Sequence, residues 1–520
     1  MSRRWKILIA AGAVVMAGML ISAVHHYRLR AATEAYIAKL KANGEPMELA
    51  QVMPPPVPPE QNGTETFRKA AALLDADKTF LETNSIHAMD MAAPGKAVIC
   101  SQQPVVLQTY STNSWEALTA AVGQNKEALN LLHQIIEHPA LDFGIHYERG
   151  FGEGFEFTNL NLVQLRNSAN YLSANAICNL HHGDVAAAVK NEQAMLALAN
   201  AMQSQRLVIS ELVRMAITRK AVNLNWEILQ SPGVTGEQLT ALQNDWDRLN
   251  FLQGCKDALI MERLCGENTL SMWRNSDYGL NNFFGWERRA RENIGFPVEE
   301  ESWLKKAKSE SQIFLWRYWW SYPDELRCLR GHEVLMETLR YAETNGAFLK
   351  AFQQQQARLD ALGINKLESE FGGMLSGKTD FHSMLSESIT TLGYTFKKVM
   401  TVESAKRIVV TAIALKRFQL KHGNYPEKLS DLTPEFLPSV PLDPVDGQPL
   451  RYRRNVGGTF LLYSVGENGK DNGGNPSLEK DDETKSFQWQ NPHALDWVWP
   501  QPATPEEIQK YYDEQARKPK

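Results

Sequence analysis

Cysteine is scarce and scattered. Cys100, Cys178, Cys255, Cys265 and Cys328 are the only five thiols in 520 residues, and no two stand at CxxC spacing. That removes the sequence basis for a structural zinc site or a thioredoxin-like redox centre. An odd number also leaves at least one thiol unpaired within the chain, and small buried apolar residues are the reading we take for most of them. Blocks of like charge are missing too, and the formal net charge is only -5. A nucleic-acid protein would show a basic stripe, so that class is excluded. No GxSxG, Walker loop or Rossmann fingerprint occurs in a usable context. His332-Glu333-Val334-Leu335-Met336 falls short of HExxH because Met336 stands where the second histidine ligand belongs. The pairs His25-His26 and His181-His182 diverge on a helix. Glu148, Glu153 and Glu156 lack a partner of known geometry. Catalysis has no sequence support.

One long hydrophobic run is present. Residues Ile7–Val24 carry no charge and are just long enough, at about 1.5 Å per residue, to cross a bilayer core of about 30 Å. Arg3, Arg4 and Lys6 precede the run, which favours a cytoplasmic N-terminus and an exported body. A cleaved signal peptide is the rival reading. Cleavage after Ala23 would place bulky Ile21 three residues before the cut, so an uncleaved single-pass anchor in the inner membrane is the expectation. A helix over Ala31–Lys41 should stop at Asn43-Gly44. The five prolines of Met53–Gly63 read as a stiff extended stalk between membrane and body.

Helical periodicity dominates from Ser114 to about Phe352. Leu162, Leu165, Ala169, Leu172, Ala176 and Leu180 recur at three- and four-residue steps, the mark of one buried face. After His181–Asp184 an alanine-rich helix follows, giving a hairpin like one tetratricopeptide unit, without a 34-residue repeat. Trp273–Tyr322 holds six of the 13 tryptophans. In FLWRYWW a helix puts Trp316, Trp319 and Trp320 on one face. An aromatic core between helices is the favoured reading, with a membrane-interface belt or a stacking surface as alternatives. Leu362–Asp380, with its glycine steps, is the expected boundary.

Thr401–Gly474 is the most specific stretch. Ala405, Ile408, Ala412 and Leu415 line one helix face, and Gly423 stands where a left-handed cap is needed. Pro426 and Pro434 each suit the first position of a short helix. Strand Leu450–Arg453 alternates apolar and basic residues, whereas Phe460–Val465 is apolar on both sides and should be the inner strand.

Three segments carry a resemblance: LKHGNYP (Leu420–Pro426), VPLDPVDGQPLRY (Val440–Tyr452) and YSVGENGK (Tyr463–Lys470). Together they resemble the globular domain of the type II secretion major pseudopilin, a relative of type IV pilins. That family joins its membrane segment and this helix in one rod, whereas here they lie far apart, so polymerisation as a pilin is not expected. The resemblance implies a calcium loop, with Ser464 and Asn468 at family ligand positions and Asp471, Asp481 and Asp482 as nearby carboxylates. Calcium takes six to eight oxygens, several of them anionic. An ion-free polar turn is the competing reading.

The expected fold is therefore mainly α. It comprises a membrane anchor (1–30), a helix and proline-rich linker (31–63), an irregular helical body (64–380), a small pseudopilin-like α+β domain (381–490) and a tail (491–520). The expected function is a non-enzymatic envelope protein, secretion-related through its module. Its partners would be the bilayer, through Ile7–Val24, and envelope or secretion proteins. An exported enzyme or ligand-binding protein using a cleft in the helical body is the alternative.

Overall fold

In the computed structural model, which describes residues 3–76, 86–108, 112–151, 161–276, 310–311, 314–364, 388–479 and 489–517, the chain opens with one helix, α1 (Arg3–Ala42). The apolar run and the helix expected at Ala31–Lys41 are a single 40-residue rod, about 60 Å long at ~1.5 Å per residue. Residues 25–30 contain neither proline nor glycine, so nothing interrupts the ladder between them. Gly44, at φ +82, lies just past its end. Among the described residues no helix is long and apolar enough to cross a membrane; the side chains of residues 7, 8, 11 and 15, inside the apolar run, lie outside that set.

The proline-rich linker does not stand off as a stalk. Its last turn is tied down, with His138 Nδ1 3.2 Å from Glu60 O and Gly63 N donating to Ala140 O (3.0 Å), and arginines of the body hold the segment just ahead of it. Arg263 Nη2 donates to Pro46 O (2.8 Å) and Arg206 Nη1 to Val52 O (2.6 Å). Asn62 then bridges Ala140 as the chain enters the body.

The body is helical with small sheets. Helix α2 (Thr64–Ala76) leads to β1 (Asp90–Ala93), β2 (Lys96–Val98), β3 (Val106–Leu107) and β4 (Thr112–Asn113). Helices α3 (Trp115–Gln124), α4 (Lys126–Gln134), α5 (Leu162–His181), α6 (Val185–Ala201), α7 (Val208–Gln230), α8 (Gly236–Arg248) and α9 (Phe251–Asn275) follow. Local chemistry sets their starts. Asp184 accepts from Ala187 N (3.0 Å) after Gly183 turns the chain at φ +80, and Thr235 with Gln238 forms a reciprocal capping box. Further on, a five-residue π-helical turn, Trp316–Trp320, runs into α10 (Ser321–Asn345), followed by α11 (Phe348–Ala361). The boundary expected at Leu362–Asp380 falls largely outside the described residues.

Helix α12 (Ser388–His422) is longer than expected and threads the middle of the molecule, packed on α7, α8, α9 and α11. Ser404 and Thr411 are buried on it without cost in unpaired polarity, since each hydroxyl donates to a carbonyl one turn back (2.8 and 2.6 Å). Gly423, at φ +79, follows as expected. Neither Pro426 nor Pro434 starts an α-helix; a short 3₁₀ turn, Leu429–Leu432, lies between them.

Strands β5 (Arg451–Arg454) and β6 (Phe460–Val465) pair antiparallel, with Arg451 opposite Tyr463, and β6 is the inner strand. Its other neighbour, β7 (Asp496–Val498), comes from the segment expected to be a tail. That segment continues into β8 (Gln501–Pro502), which pairs parallel with β2, and ends in α13 (Pro505–Arg517). Trp226 on α7 donates to Pro500 O (2.9 Å) between the two strands. One contiguous apolar cluster runs from Phe67 to Trp499, joining the helical body and the C-terminal sheet.

Candidate functional site

The residues proposed to hold calcium come together only in part, and the bonds they make belong to other partners. Ser464 is fully buried, and its hydroxyl donates to Asp443 Oδ1 (2.7 Å). The amides of Val445 and Val465 also donate to the Asp443 carboxylate (3.0 and 2.9 Å). Arg451 is the cation of this corner. Its guanidinium reaches Asp443 (3.0 Å), Asp446 (3.1 and 2.5 Å) and Asp471 (3.5 Å). The bonds to Asp446 hold it firmly protonated. Asp471 further accepts from Tyr463 Oη and Gly473 N (both 2.9 Å), the latter holding its carboxyl below the usual range. Asn468 Oδ1 closes a local turn by accepting from Lys470 N (2.9 Å).

The glycine-rich loop itself folds onto Asp496, which accepts from the amides of Asn472, Gly474 and Asn475 at 3.3, 2.9 and 3.0 Å. Asp481 and Asp482 lie outside the described residues, and among the described residues no cluster of three histidine, cysteine or acidic side chains could hold a metal. Ser464 and Asp471 are thus engaged with other groups: the Ser464 hydroxyl points at Asp443, and the single positive charge of Arg451 is shared among Asp443, Asp446 and Asp471. The signal for this was in the sequence, in the alternation of Arg451 with Tyr452 four residues after an Asp-Gly turn. Its meaning depends on β6 delivering Ser464 to the same place.

The second feature is the seating of α1. Its outer half presents large apolar groups to solvent, with Val14 at 72%, Met16 at 69% and Leu20 at 67% exposure. Its inner half is bolted to the body. His26 Nδ1 lies 2.8 Å from Tyr318 O, Thr33 Oγ1 donates to Tyr322 O (3.3 Å), Tyr36 Oη donates to Glu333, and Lys39 pairs with Glu333 at 3.7 Å. Just past the helix, Glu45 is held by both Arg263 (3.3 Å) and Arg340.

The tryptophan segment divides. Trp316 is fully buried, edge-to-face with buried Trp273 at 6.0 Å, but Phe314 (59%), Tyr318 (46%) and Trp319 (36%) stand in solvent. An α-helix would have placed Trp316 and Trp319 on one face; the wider π turn separates them. Trp286 and Trp303 lie outside the described residues.

Buried acids are the features that sequence reasoning missed. Glu227 on α7 is fully buried and accepts from Met89 N (3.1 Å), Cys100 N (2.6 Å), Ser101 N (3.4 Å) and Ser101 Oγ (2.7 Å). It pins the β1–β2 layer to the helices. Glu192 on α6 accepts from Asn225 Nδ2 (3.0 Å) and Trp246 Nε1 (2.8 Å), and burial pushes its pKa up to about 8. Glu211 and Arg214 form a fully buried pair at 2.9 Å. Between α9 and α10, burial first and then the neighbouring Glu325 charge push the Glu267 carboxyl well above its ordinary range, and Arg274 pairs with Glu325. His332 is buried, and burial followed by the Arg263 charge pushes its pKa down to about 3. All five cysteines are buried and unpaired. No hydrophobic period marks such acids, because each sits where its helix face happens to meet a donor: backbone amides for Glu227, Asn225 and Trp246 for Glu192, an arginine for Glu211 and Glu325.

A crevice lined by Gly95, Pro476, Trp489 and Trp497 encloses about 20 Å³, room for a water rather than a substrate. Comparison with known proteins gave no matching family model, no matching curated protein and no matching solved structure.

Proposed function

We propose a non-enzymatic, membrane-tethered envelope protein. In it α1 crosses the inner membrane through Ile7–Val24 and carries a rigidly attached extracytoplasmic body. The observation behind this reading is the contrast along α1: bulky apolar side chains in the open over its first half, and a run of specific bonds to the body over its second. Water penalises such exposure and lipid does not. The basic residues before the run favour a cytoplasmic N-terminus. The C-terminal sheet with α12 is read as a module of the pseudopilin kind, displayed for assembly or contact with secretion proteins, on a body whose α5–α6 hairpin is of the tetratricopeptide kind. Membranes washed in alkaline carbonate should retain the chain, and protease added to spheroplasts should digest its body. Release of a soluble chain by carbonate, or a protected body, would overturn the reading.

A second reading, an exported ligand-binding protein, draws on one observation: the paired acids Glu267 and Glu325 beside Arg274, whose guanidinium lies 4.3 Å from the Tyr322 ring. Glu325→Gln would then abolish ligand uptake without lowering stability, whereas a structural role for this pair predicts a changed melting temperature.

A further inference from the structure

The aromatic segment and the apolar half of α1 meet at one level, and that level is defined by hydrogen bonding. His26 Nδ1 contacts Tyr318 O at 2.8 Å, and the His25 ring lies 5.2 Å from the Trp319 ring. Both histidines immediately follow Val24, the last residue of the uncharged run. Seventeen helical steps from Ile7 to Val24 span about 26 Å, close to the hydrocarbon thickness of about 30 Å. Tyr318 and Trp319 therefore stand at the depth where acyl chains give way to headgroups.

We propose that Phe314, Tyr318 and Trp319 form a second membrane contact, seated in the headgroup layer of the phospholipid leaflet from which α1 emerges. The proposal rests on the reading of Ile7–Val24 as the bilayer segment. Several large side chains crowded within six residues and left in solvent are unusual for a folded surface. Tyr and Trp rings, each with an apolar body and a polar tip, favour this layer over either neighbouring phase. The π turn serves the arrangement by burying Trp316 against Trp273 as an internal anchor while turning Tyr318 and Trp319 outward. Exposed Tyr27 and Arg28 lie at the same level on α1, and arginine there attracts anionic lipid. A protein covering this patch would have to enter the layer already occupied by lipid around α1, which is why lipid is the occupant argued for. The belt would hold the body at a fixed height and tilt instead of leaving it to swing on its anchor.

The test uses the full chain in vesicles of phosphatidylcholine and phosphatidylglycerol. Because the native thiols are all buried, a thiol-reactive, polarity-sensitive fluorophore can be placed in turn through Phe314→Cys, Met16→Cys and, as a distant control, Val456→Cys. Quenching by lipids spin-labelled near the carbonyl or near the chain terminus then reads depth. The expected result is several-fold stronger quenching at 314 by the shallow label than by the deep one. Position 16 should show the opposite preference, and 456 should respond to neither. If 16 is quenched by the deep label but 314 by neither, the belt is overturned and the anchor stands. A probe at 314 that is shielded from water yet unquenched overturns the lipid seat in favour of a protein contact. If 16 is not quenched, the anchor reading falls and the belt with it.

Discussion

At the scale of single residues, buried acids and one arginine carry the specificity of the fold. Glu227 satisfies three backbone amides that have no water to turn to. Glu227→Ala would orphan them, and at about 1–3 kcal/mol per buried unsatisfied donor the loss should be several kcal/mol by urea denaturation. Arg451 is a parallel case. Arg451→Met leaves Asp443 buried without its cation and should cost about 3–5 kcal/mol. Glu192 gives the chain a pH signature. Its folded pKa of about 8 lies above the ordinary value of 4.5, so the folded state keeps a proton that the unfolded chain releases. The resulting stability is complete at low pH and is lost as pH rises from about 4.5 toward about 8. The urea midpoint should fall across that window, and Glu192→Gln should flatten the fall. Calcium enters at this scale too: with Ser464 and Asp471 engaged elsewhere, a chelator should leave the melting temperature of the full chain unchanged. A clear rise on adding calcium would show that Asn468, Asp471, Asp481 and Asp482 close around an ion after all.

At the scale of elements, the tryptophan segment and the last sheet make separable predictions. Trp316→Ala removes a fully buried aromatic and should cost about 3–5 kcal/mol. Trp319→Ala should cost clearly less, since about a third of that residue already meets solvent. In the sheet, a Cβ on Gly466 would stand 2.5 Å from Ala494 O and 2.6 Å from Leu495 O. Both obstacles are backbone, so neither can rotate away. Gly466→Ala should therefore separate β7 from β6 and lower the melting temperature by several degrees, whereas Gly457→Ala, with open space around it, should not.

At the scale of the whole molecule, the ends of the chain are structural parts. The segment 496–517 closes the β5–β6–β7 sheet, pairs with β2, and sends Tyr511 Oη to Asp90 (2.5 Å). Deleting it should expose amides in both places. Hydrogen exchange should then show lost protection in 86–108 as well as in 460–465. Loss confined to the second region would mean that the two sheets open independently.

What the residues settled on their own was local. Apolar steps of three and four residues gave the helices, Gly183 and Asp184 gave the turn of the α5–α6 hairpin, and the two apolar faces of Phe460–Val465 marked it as an inner strand. Each follows from the period of a regular backbone or the sterics of a turn, and neither needs a partner to be specified. Only the tertiary structure decided the rest. It fused the apolar run to the next helix, laid the proline segment along the body, and brought the last strand of the sheet from beyond residue 490. It also set an arginine beside Asp471, one of the carboxylates expected to hold an ion, and split one aromatic run between core and solvent. Those outcomes depend on which faces meet across hundreds of residues, and on the rule that a buried charge or amide must find a partner wherever the chain brings one.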